Sequence, residues 1–146
     1  MTLILGIDPG LHGGICFLYQ RKPPVVIPMP LMPTSSRRNL HDLDEQASII
    51  KFSGASLVAI EDVTRPAKLT RHQGFLIGVA KCAGIDVVHI RPQVWKKHYG
   101  IGPDKAESIA KALELMPSLG DTIKLKSHDG MAESFLIAQF TKETMR

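Results

Sequence analysis

The sequence is poor in cysteine and aromatic residues, and it has no long apolar run. Its two cysteines, Cys16 and Cys82, lack CxxC spacing and sit among apolar or small residues. We therefore expect two buried free thiols in a reducing compartment and no disulfide framework. No apolar stretch approaches the ~20 residues that cross a bilayer, and the N-terminus lacks the basic region and cleavage site of a secretory signal. These absences predict a cytoplasmic protein.

The chain does contain enough apolar residues for one core. It has 146 residues, of which 44% are hydrophobic. It shows no repeat, low-complexity tract or linker. This length predicts a single domain over residues 1–146 that buries about two-thirds of its unfolded surface.

Basic residues are clustered beside predicted loops, and the formal net charge is +4. Solvated surface explains each cluster taken singly. Five clusters near turns favour a nucleic-acid backbone as the common partner. The clusters are Arg21 with Lys22, Arg37 with Arg38, Arg65 with Lys68 and Arg71, Arg91 with Lys96 and Lys97, and Lys124 with Lys126.

Hydrophobic periodicity and turn residues predict an α/β protein. Three consecutive strands with tight connections indicate an antiparallel meander, and later strands alternate with helices. The order βββαβαβαα therefore predicts a mixed sheet, with the fourth and fifth strands parallel to the first. The predicted strands are 3–8, 13–20, 24–30, 56–62 and 85–90, and the predicted helices are 43–52, 69–83, a short one within 91–102, 105–116 and 128–143.

Two predicted buried strands end in an acid. Asp8 ends the first strand and is followed by Pro9 and Gly10, while Glu61 ends the fourth. A buried carboxylate needs a partner or access to water. The Asp-Pro-Gly sequence by itself is equally well explained as a turn.

Two more acids begin the last helix. Asp129 and Glu133 are four residues apart, on the same helical face as three large apolar residues, Leu136, Ile137 and Phe140. The helix dipole partly offsets the repulsion between the two acids, so a purely structural role stays open.

Four carboxylates from three segments can therefore converge. Such a cluster repels itself unless cations neutralise it. Oxygen ligands favour Mg²⁺ or Mn²⁺, and two such ions can activate water and stabilise the leaving oxygen of a phosphodiester. The sequence predicts a catalytic metal site formed by Asp8, Glu61, Asp129 and Glu133.

Four motifs resemble the RuvC-type Holliday junction resolvases, particularly the short ones encoded by bacteriophages. They are, in order, GIDPGLHGG, LVAIEDV, VWKKHYGI with DKAESIAKALELMP, and HDGMAESFLIA, and together they span nearly the whole chain. The resemblance implies a ribonuclease H-like fold, a homodimer, and an endodeoxyribonuclease that makes paired symmetric cuts in four-way DNA junctions.

Carried over by position, Asp8, Glu61 and Glu133 match acids of the family. Many bacterial members carry their other helix acid three residues before the last of these, where this sequence has Gly130. Asp129 lies four residues before Glu133 and is our fourth ligand, with His128 as the alternative.

Several other residues are candidates for binding or packing. The candidate DNA contacts are Lys68, Arg71, Trp95, Lys96, Lys97 and Lys105; for Trp95, core packing is the first interpretation and a DNA contact is the alternative. We expect His72 at the surface. Gly74 and Gly78 permit close packing of their helix, either on a strand of the same chain or on a dimer partner.

Alternative functions follow from the same residues. One is a ribonuclease H-like nuclease that acts on structured RNA, as in ribosomal RNA processing, and another is a nuclease with a broader range of branched DNA. A junction-binding protein that does not cut is disfavoured by the intact acids. An actin-like ATPase is excluded because 146 residues leave no room for its second domain.

Overall fold

The structure is a computed structural model that describes residues 2–36 and 38–145. The strands are β1 (Leu3–Asp8), β2 (Gly14–Tyr19), β3 (Val25–Pro28), β4 (Leu31–Met32), β5 (Leu40–His41), β6 (Leu57–Glu61) and β7 (Asp86–Ile90). The helices are α1 (Leu43–Phe52), α2 (Ala67–Cys82), α3 (Pro92–His98), α4 (Lys105–Leu115) and α5 (Asp129–Thr144). The predicted element types are confirmed, and most of the predicted bounds are correct to within two residues.

Five of the strands form one mixed sheet in the order β3-β2-β1-β6-β7. The first three pair antiparallel, whereas β6 and β7 run parallel to β1. The predicted sheet is thus confirmed. Its central strand is β1. The carboxyl end of β1 leads into the β1–β2 turn and lies beside the carboxyl end of β6.

Two short strands were not predicted. β4 and β5 pair antiparallel as a separate ribbon between β3 and α1, where the sequence predicts neither a strand nor a helix. Each strand has only two residues, which is too short to show an alternating pattern. The ribbon is tied to α1, because the Asp42 N–H donates to the Pro30 carbonyl at 3.1 Å.

Side-chain capping begins two of the helices. The Asp42 carboxylate accepts the Glu45 N–H at 3.0 Å at the start of α1. The Asp104 carboxylate accepts the Ala106 N–H at 2.9 Å at the start of α4. Each bond satisfies a backbone donor that has no partner within its helix.

Helices cover both faces of the sheet, as the alternation of β1 shows. Ile4 joins the core formed with α3, α4 and α5, whereas Leu5 and Ile7 join the core formed with α1 and α2. The sheet is therefore the middle layer of three. In the described residues, no helix is both long enough and apolar enough to cross a membrane.

The last helix is buried far beyond the single face that the sequence predicts. Twelve of the sixteen residues of α5 are buried, because it contacts both the sheet and the neighbouring helices α3 and α4. A Cβ at Gly6 of β1 would lie 2.1 Å from the Ser134 carbonyl oxygen. Glycine at this position lets α5 lie directly against the central strand.

One expectation about the cysteines is wrong. Cys16 is buried in the sheet, and burial raises the pKa of its thiol, as expected for an unreactive core cysteine. Cys82, the last residue of α2, is exposed. Small neighbouring residues were therefore a poor predictor of its burial.

Candidate active site

The sheet brings the two strand acids to the same edge. β1 and β6 are parallel neighbours with Ile7 opposite Ile60, so Asp8 and Glu61 both follow at the carboxyl end. Glu133 reaches this edge from the second turn of α5. One carboxylate oxygen from each of the three residues lies within 4.8 Å of the others. The predicted convergence of these three acids is observed.

Glycines allow the start of α5 to come this close. A Cβ added at Gly130 would lie 2.1 Å from the His12 carbonyl oxygen, and one added at Gly14 would lie 2.7 Å from the Gly130 oxygen. The helix start and the β1–β2 turn thus make backbone-to-backbone contact. Gly130 is required for this packing, so an acid at that position is incompatible with this arrangement.

Burial and mutual repulsion raise the pKa values of all three acids. Burial raises the pKa of Asp8 well above its ordinary value of 3.8, and the charges of Glu61 and Glu133 raise it further. Burial and the charge of Glu133 raise the pKa of Glu61. Burial also raises the pKa of Glu133, against the opposing charge of Lys96. Without a cation, the cluster therefore holds its protons to a higher pH than isolated carboxyl groups do.

The donor set fits a hard divalent cation. It consists of carboxylate oxygens, the ligands that Mg²⁺ and Mn²⁺ accept, and the described residues around it contribute no thiol. A cation at this point would counter the repulsion that raises the three pKa values. The cluster thus has suitable ligands for a metal ion, and the positive charge of the ion would reduce the repulsion among the carboxylates.

Trp95 is part of the core and not a surface aromatic. Its side chain is fully buried, and its indole N–H donates to Glu61 Oε1 at 3.1 Å. The prediction that Trp95 contacts DNA is wrong, because the buried ring presents no face for a base to stack on. Core packing, the first interpretation of Trp95, is observed, with an added hydrogen bond to a site acid.

Glu133 is held by two further side chains. The Ser108 hydroxyl donates to its Oε1 at 3.0 Å, and Lys96 Nζ lies 3.7 Å from the same oxygen. Lys96, predicted as a DNA contact, is therefore partly engaged inside the site. No pattern in the sequence identified Ser108, because it lies on another helix, 25 residues away.

Asp129 is buried beside the cluster but is not one of the three converging acids. Its charge raises the pKa of Asp8, and its Oδ2 lies 3.5 Å from Lys105 Nζ. The His128 ring instead accepts the Lys124 and Leu125 N–H groups at 3.1 and 3.2 Å. His128 therefore organises the preceding loop, and Asp129 stays the predicted fourth ligand.

The other predicted DNA contacts lie at the surface. Lys68, Arg71 and Lys97 are exposed, and Lys105 has 70% of its side chain exposed despite its ion pair with Asp129. Of the basic clusters, Arg37 lies outside the described residues.

The β1–β2 turn is anchored by a residue that the sequence placed wrongly. His72 is buried, and its Nδ1 accepts the Gly10 N–H at 2.9 Å. Its Nε2 then donates to Gln46 Oε1 at 2.7 Å. Burial lowers the pKa of His72 to about 4, so the ring is neutral and can accept this bond. The adjacent Arg71 led to the incorrect expectation of an exposed residue.

Comparison with known proteins identifies the fold. No family model and no curated protein sequence matches the chain. Thermus thermophilus RuvC aligns with 99% of this chain and 97% of its own, at a TM-score of 0.61 and 16% identity. Fowlpox virus Holliday junction resolvase aligns with 99% of this chain and 100% of its own, at a TM-score of 0.67 and 14% identity.

A second fowlpox structure contains a ligand. The fowlpox resolvase in complex with substrate Holliday junction DNA aligns with 99% of this chain and 99% of its own, at a TM-score of 0.61 and 15% identity. These alignments confirm that the chain has the ribonuclease H-like fold of the RuvC and poxvirus resolvases, which is the fold that the motifs implied.

Proposed function

We propose that the chain is a metal-dependent, structure-selective endonuclease that resolves four-way DNA junctions by paired symmetric cuts. The observation that carries this proposal is the convergence of Asp8, Glu61 and Glu133, from three separate elements, to within 4.8 Å. The shared fold supports it, since the similar chains include RuvC and a poxvirus Holliday junction resolvase, each of which was also solved with junction DNA.

The proposed metal ligands are Asp8, Glu61 and Glu133, with Asp129 as the fourth. Two Mg²⁺ or Mn²⁺ ions, when bound, would activate a water molecule and stabilise the leaving oxygen of the phosphodiester. The protein's part is to fix the ligands on rigid strand and helix ends, and Trp95 contributes by hydrogen-bonding to a ligand carboxylate.

Positive charge at the rim favours binding of the DNA backbone. Lys105 lies beside Asp129, with most of its side chain in solvent. Lys97 is exposed on the same short helix that carries Lys96. Lysines near a carboxylate site attract phosphate and offset the repulsion between the acids and the DNA.

A homodimer is part of the proposal, because paired symmetric cuts need two equivalent sites. In the described chain, nothing lies within 4 Å of a Cβ added at Gly74 or Gly78, so neither packs on a strand of the same chain. Of the two packing partners that the sequence predicts for these glycines, this leaves a partner subunit. One nuclease domain over residues 1–146 and a cytoplasmic location, in the host cell if the chain comes from a phage, complete the proposal.

Gel assays on a set of substrates test the proposal. Labelled four-way junctions, forks, linear duplexes and structured RNA are incubated with Mg²⁺ or Mn²⁺. We expect symmetric cuts in the four-way junction, little cutting of the linear duplex, and no cutting with EDTA or by Asp8→Asn. Preferential cutting of RNA would contradict the DNA assignment, and equal cutting of forks would broaden it to branched DNA in general.

A further inference from the structure

A cavity of about 890 Å³ borders the β1–β2 turn, the same turn that follows Asp8. Its walls come from that turn, the β4–β5 ribbon and the first turns of α2. The lining is mainly apolar and includes Leu31, Met32, Leu40, Leu43 and Phe75. Its size is within the range of cavities that hold small molecules.

Several of these apolar side chains are unusually exposed. Leu40 has 54% of its surface in solvent, Leu43 has 46% and Met32 has 43%. Apolar side chains exposed together around one concavity indicate a binding surface. The flat His41 and His72 rings, stacked with centroids 3.6 Å apart, also line this cavity.

The charge around the cavity is of one sign. Arg38, Lys68 and Arg71 line it, and no acid does so among the described residues. Lys68 and Arg71 have no salt bridge in the part of the chain that the structure describes. An apolar floor with a cationic rim matches a nucleotide, whose base is apolar on its faces and whose phosphate is anionic.

A short stretch of chain also joins the cavity to the acid cluster. Leu11 lines the cavity and is three residues after Asp8, so their Cα atoms are at most about 11 Å apart. That distance is roughly three base steps at about 3.4 Å each along a DNA strand. In addition, the Gly10 N–H that binds His72 lies in the turn between the cavity and the cluster.

We propose that this cavity binds one unpaired nucleobase of the DNA strand that is cut, with the adjacent phosphates on Lys68 and Arg71. The inference rests on the proposed junction-cutting function and adds a subsite to it. A branch point supplies unpaired or weakly stacked bases, so placing one in the cavity costs less there than in an intact duplex. The cavity then contributes to selection for branched DNA.

Abasic substitution tests the proposal on the full chain. Each nucleotide near the cut site of a four-way junction is replaced in turn by an abasic site, and affinity is measured with Asp8→Asn protein. We expect a loss of about tenfold at one position or two adjacent positions, the effect of one stacked base. Adding Leu40→Asp should lower affinity for the intact junction by about tenfold and abolish the further loss at those positions.

Matched variants keep the result interpretable. Phe52→Asp replaces another exposed apolar residue, outside the cavity, and should leave the abasic profile unchanged. Met32→Asp is a second cavity variant. If the Leu40→Asp protein is misfolded, Met32→Asp should instead show the lower affinity for the intact junction and the absence of a further abasic loss. A flat abasic profile in a protein that binds and cuts junctions normally would overturn the base site alone.

Two other outcomes are distinguishable. If Leu40→Asp and Met32→Asp convert a dimer to a monomer in sedimentation experiments and leave the abasic profile unchanged, a second copy fills the cavity and the base site is wrong. If the parent protein does not prefer four-way junctions to linear duplex, the proposed function fails and the base site fails with it.

Discussion

The indole of Trp95 donates a hydrogen bond to Glu61 Oε1 at 3.1 Å, so the chain's single tryptophan is a ligand-positioning group in the proposed metal site. The ring is fully buried. Its N–H needs a partner when buried, and a carboxylate is a strong acceptor. Core packing and metal-site geometry thus depend on the same side chain.

Trp95→Phe should raise the metal concentration needed for cutting. The substitution keeps most of the ring's packing and removes only the donor to Glu61. A hydrogen bond to a charged group contributes about 1.5–3 kcal/mol, so we expect roughly a tenfold or greater rise in half-saturating Mn²⁺. Titration of junction cutting against Mn²⁺ checks this. Unchanged metal dependence together with a lowered Tm would mean that Trp95 is structural only.

Asp129→Asn should strongly reduce cutting in Mg²⁺, with part of the activity recovered in Mn²⁺. Mn²⁺ accepts amide ligands more readily than Mg²⁺ does. The ion pair with Lys105 makes a control necessary, so Lys105→Met is assayed beside it. Full cutting by Asp129→Asn in Mg²⁺ would place the fourth ligand elsewhere.

Gly130→Ala should destabilise the fold, and moving the acid from 129 to 130 should fail. A Cβ at 130 would lie 2.1 Å from the His12 oxygen, which is backbone and cannot move aside cheaply. We expect a loss of about 1–3 kcal/mol or more, typical of overpacking. Urea denaturation measures it. Gly120→Ala is the control, because its Cβ would make only an ordinary contact, 3.9 Å from a Leu113 side-chain carbon, and should not destabilise the fold.

The acid cluster should make metal-free stability depend on pH. Because the folded-state pKa of Asp8 is raised, its contribution is fully present below pH 3.8 and is lost as pH rises through the raised pKa. In EDTA, Asp8→Asn should therefore gain in Tm relative to the parent as pH rises from 4 to 8. The lowered pKa of His72, about 4, makes stability rise with pH instead. His72 is present in both proteins, so its effect cancels in the comparison.

Metal addition should reverse this difference in Tm between Asp8→Asn and the parent. At pH 8, saturating Mg²⁺ should raise the parent's Tm and leave that of Asp8→Asn nearly unchanged; a concentration of 100 times Kd corresponds to about 2.7 kcal/mol. Thermal melts with and without Mg²⁺ measure this. Equal Tm gains in the two proteins would indicate that the ion binds elsewhere.

The sequence predicted the strand acids better than their supporting residues. Asp8 and Glu61 end apolar runs, and neighbouring parallel strands bring such ends together. By contrast, the contact of Trp95 with Glu61 joins residues 34 positions apart. The role of Gly130 depends on backbone contact with a distant turn. Local periodicity contains no information about either contact, so both were missed.

The buried polar residues were missed for a related reason. His72 satisfies the Gly10 N–H across 62 positions, whereas the sequence around it reads as a polar helix start. The β4–β5 ribbon, with two residues in each strand, is too short to leave a period-two pattern. The tertiary context alone defines these features.

Cleavage of a supercoiled plasmid that extrudes a cruciform tests the central claim most directly. Paired symmetric cuts within one binding event convert the circle to linear DNA, whereas independent single cuts first accumulate nicked circles. The account predicts linear product with ligatable ends in Mg²⁺, and none with Asp8→Asn, Glu61→Gln or Glu133→Gln, each of which still shifts junction DNA in gels. Asp62→Asn, outside the proposed ligand set, should cut normally. Intact circles with the parent protein, or normal linearisation by any of the three acid variants, would contradict it.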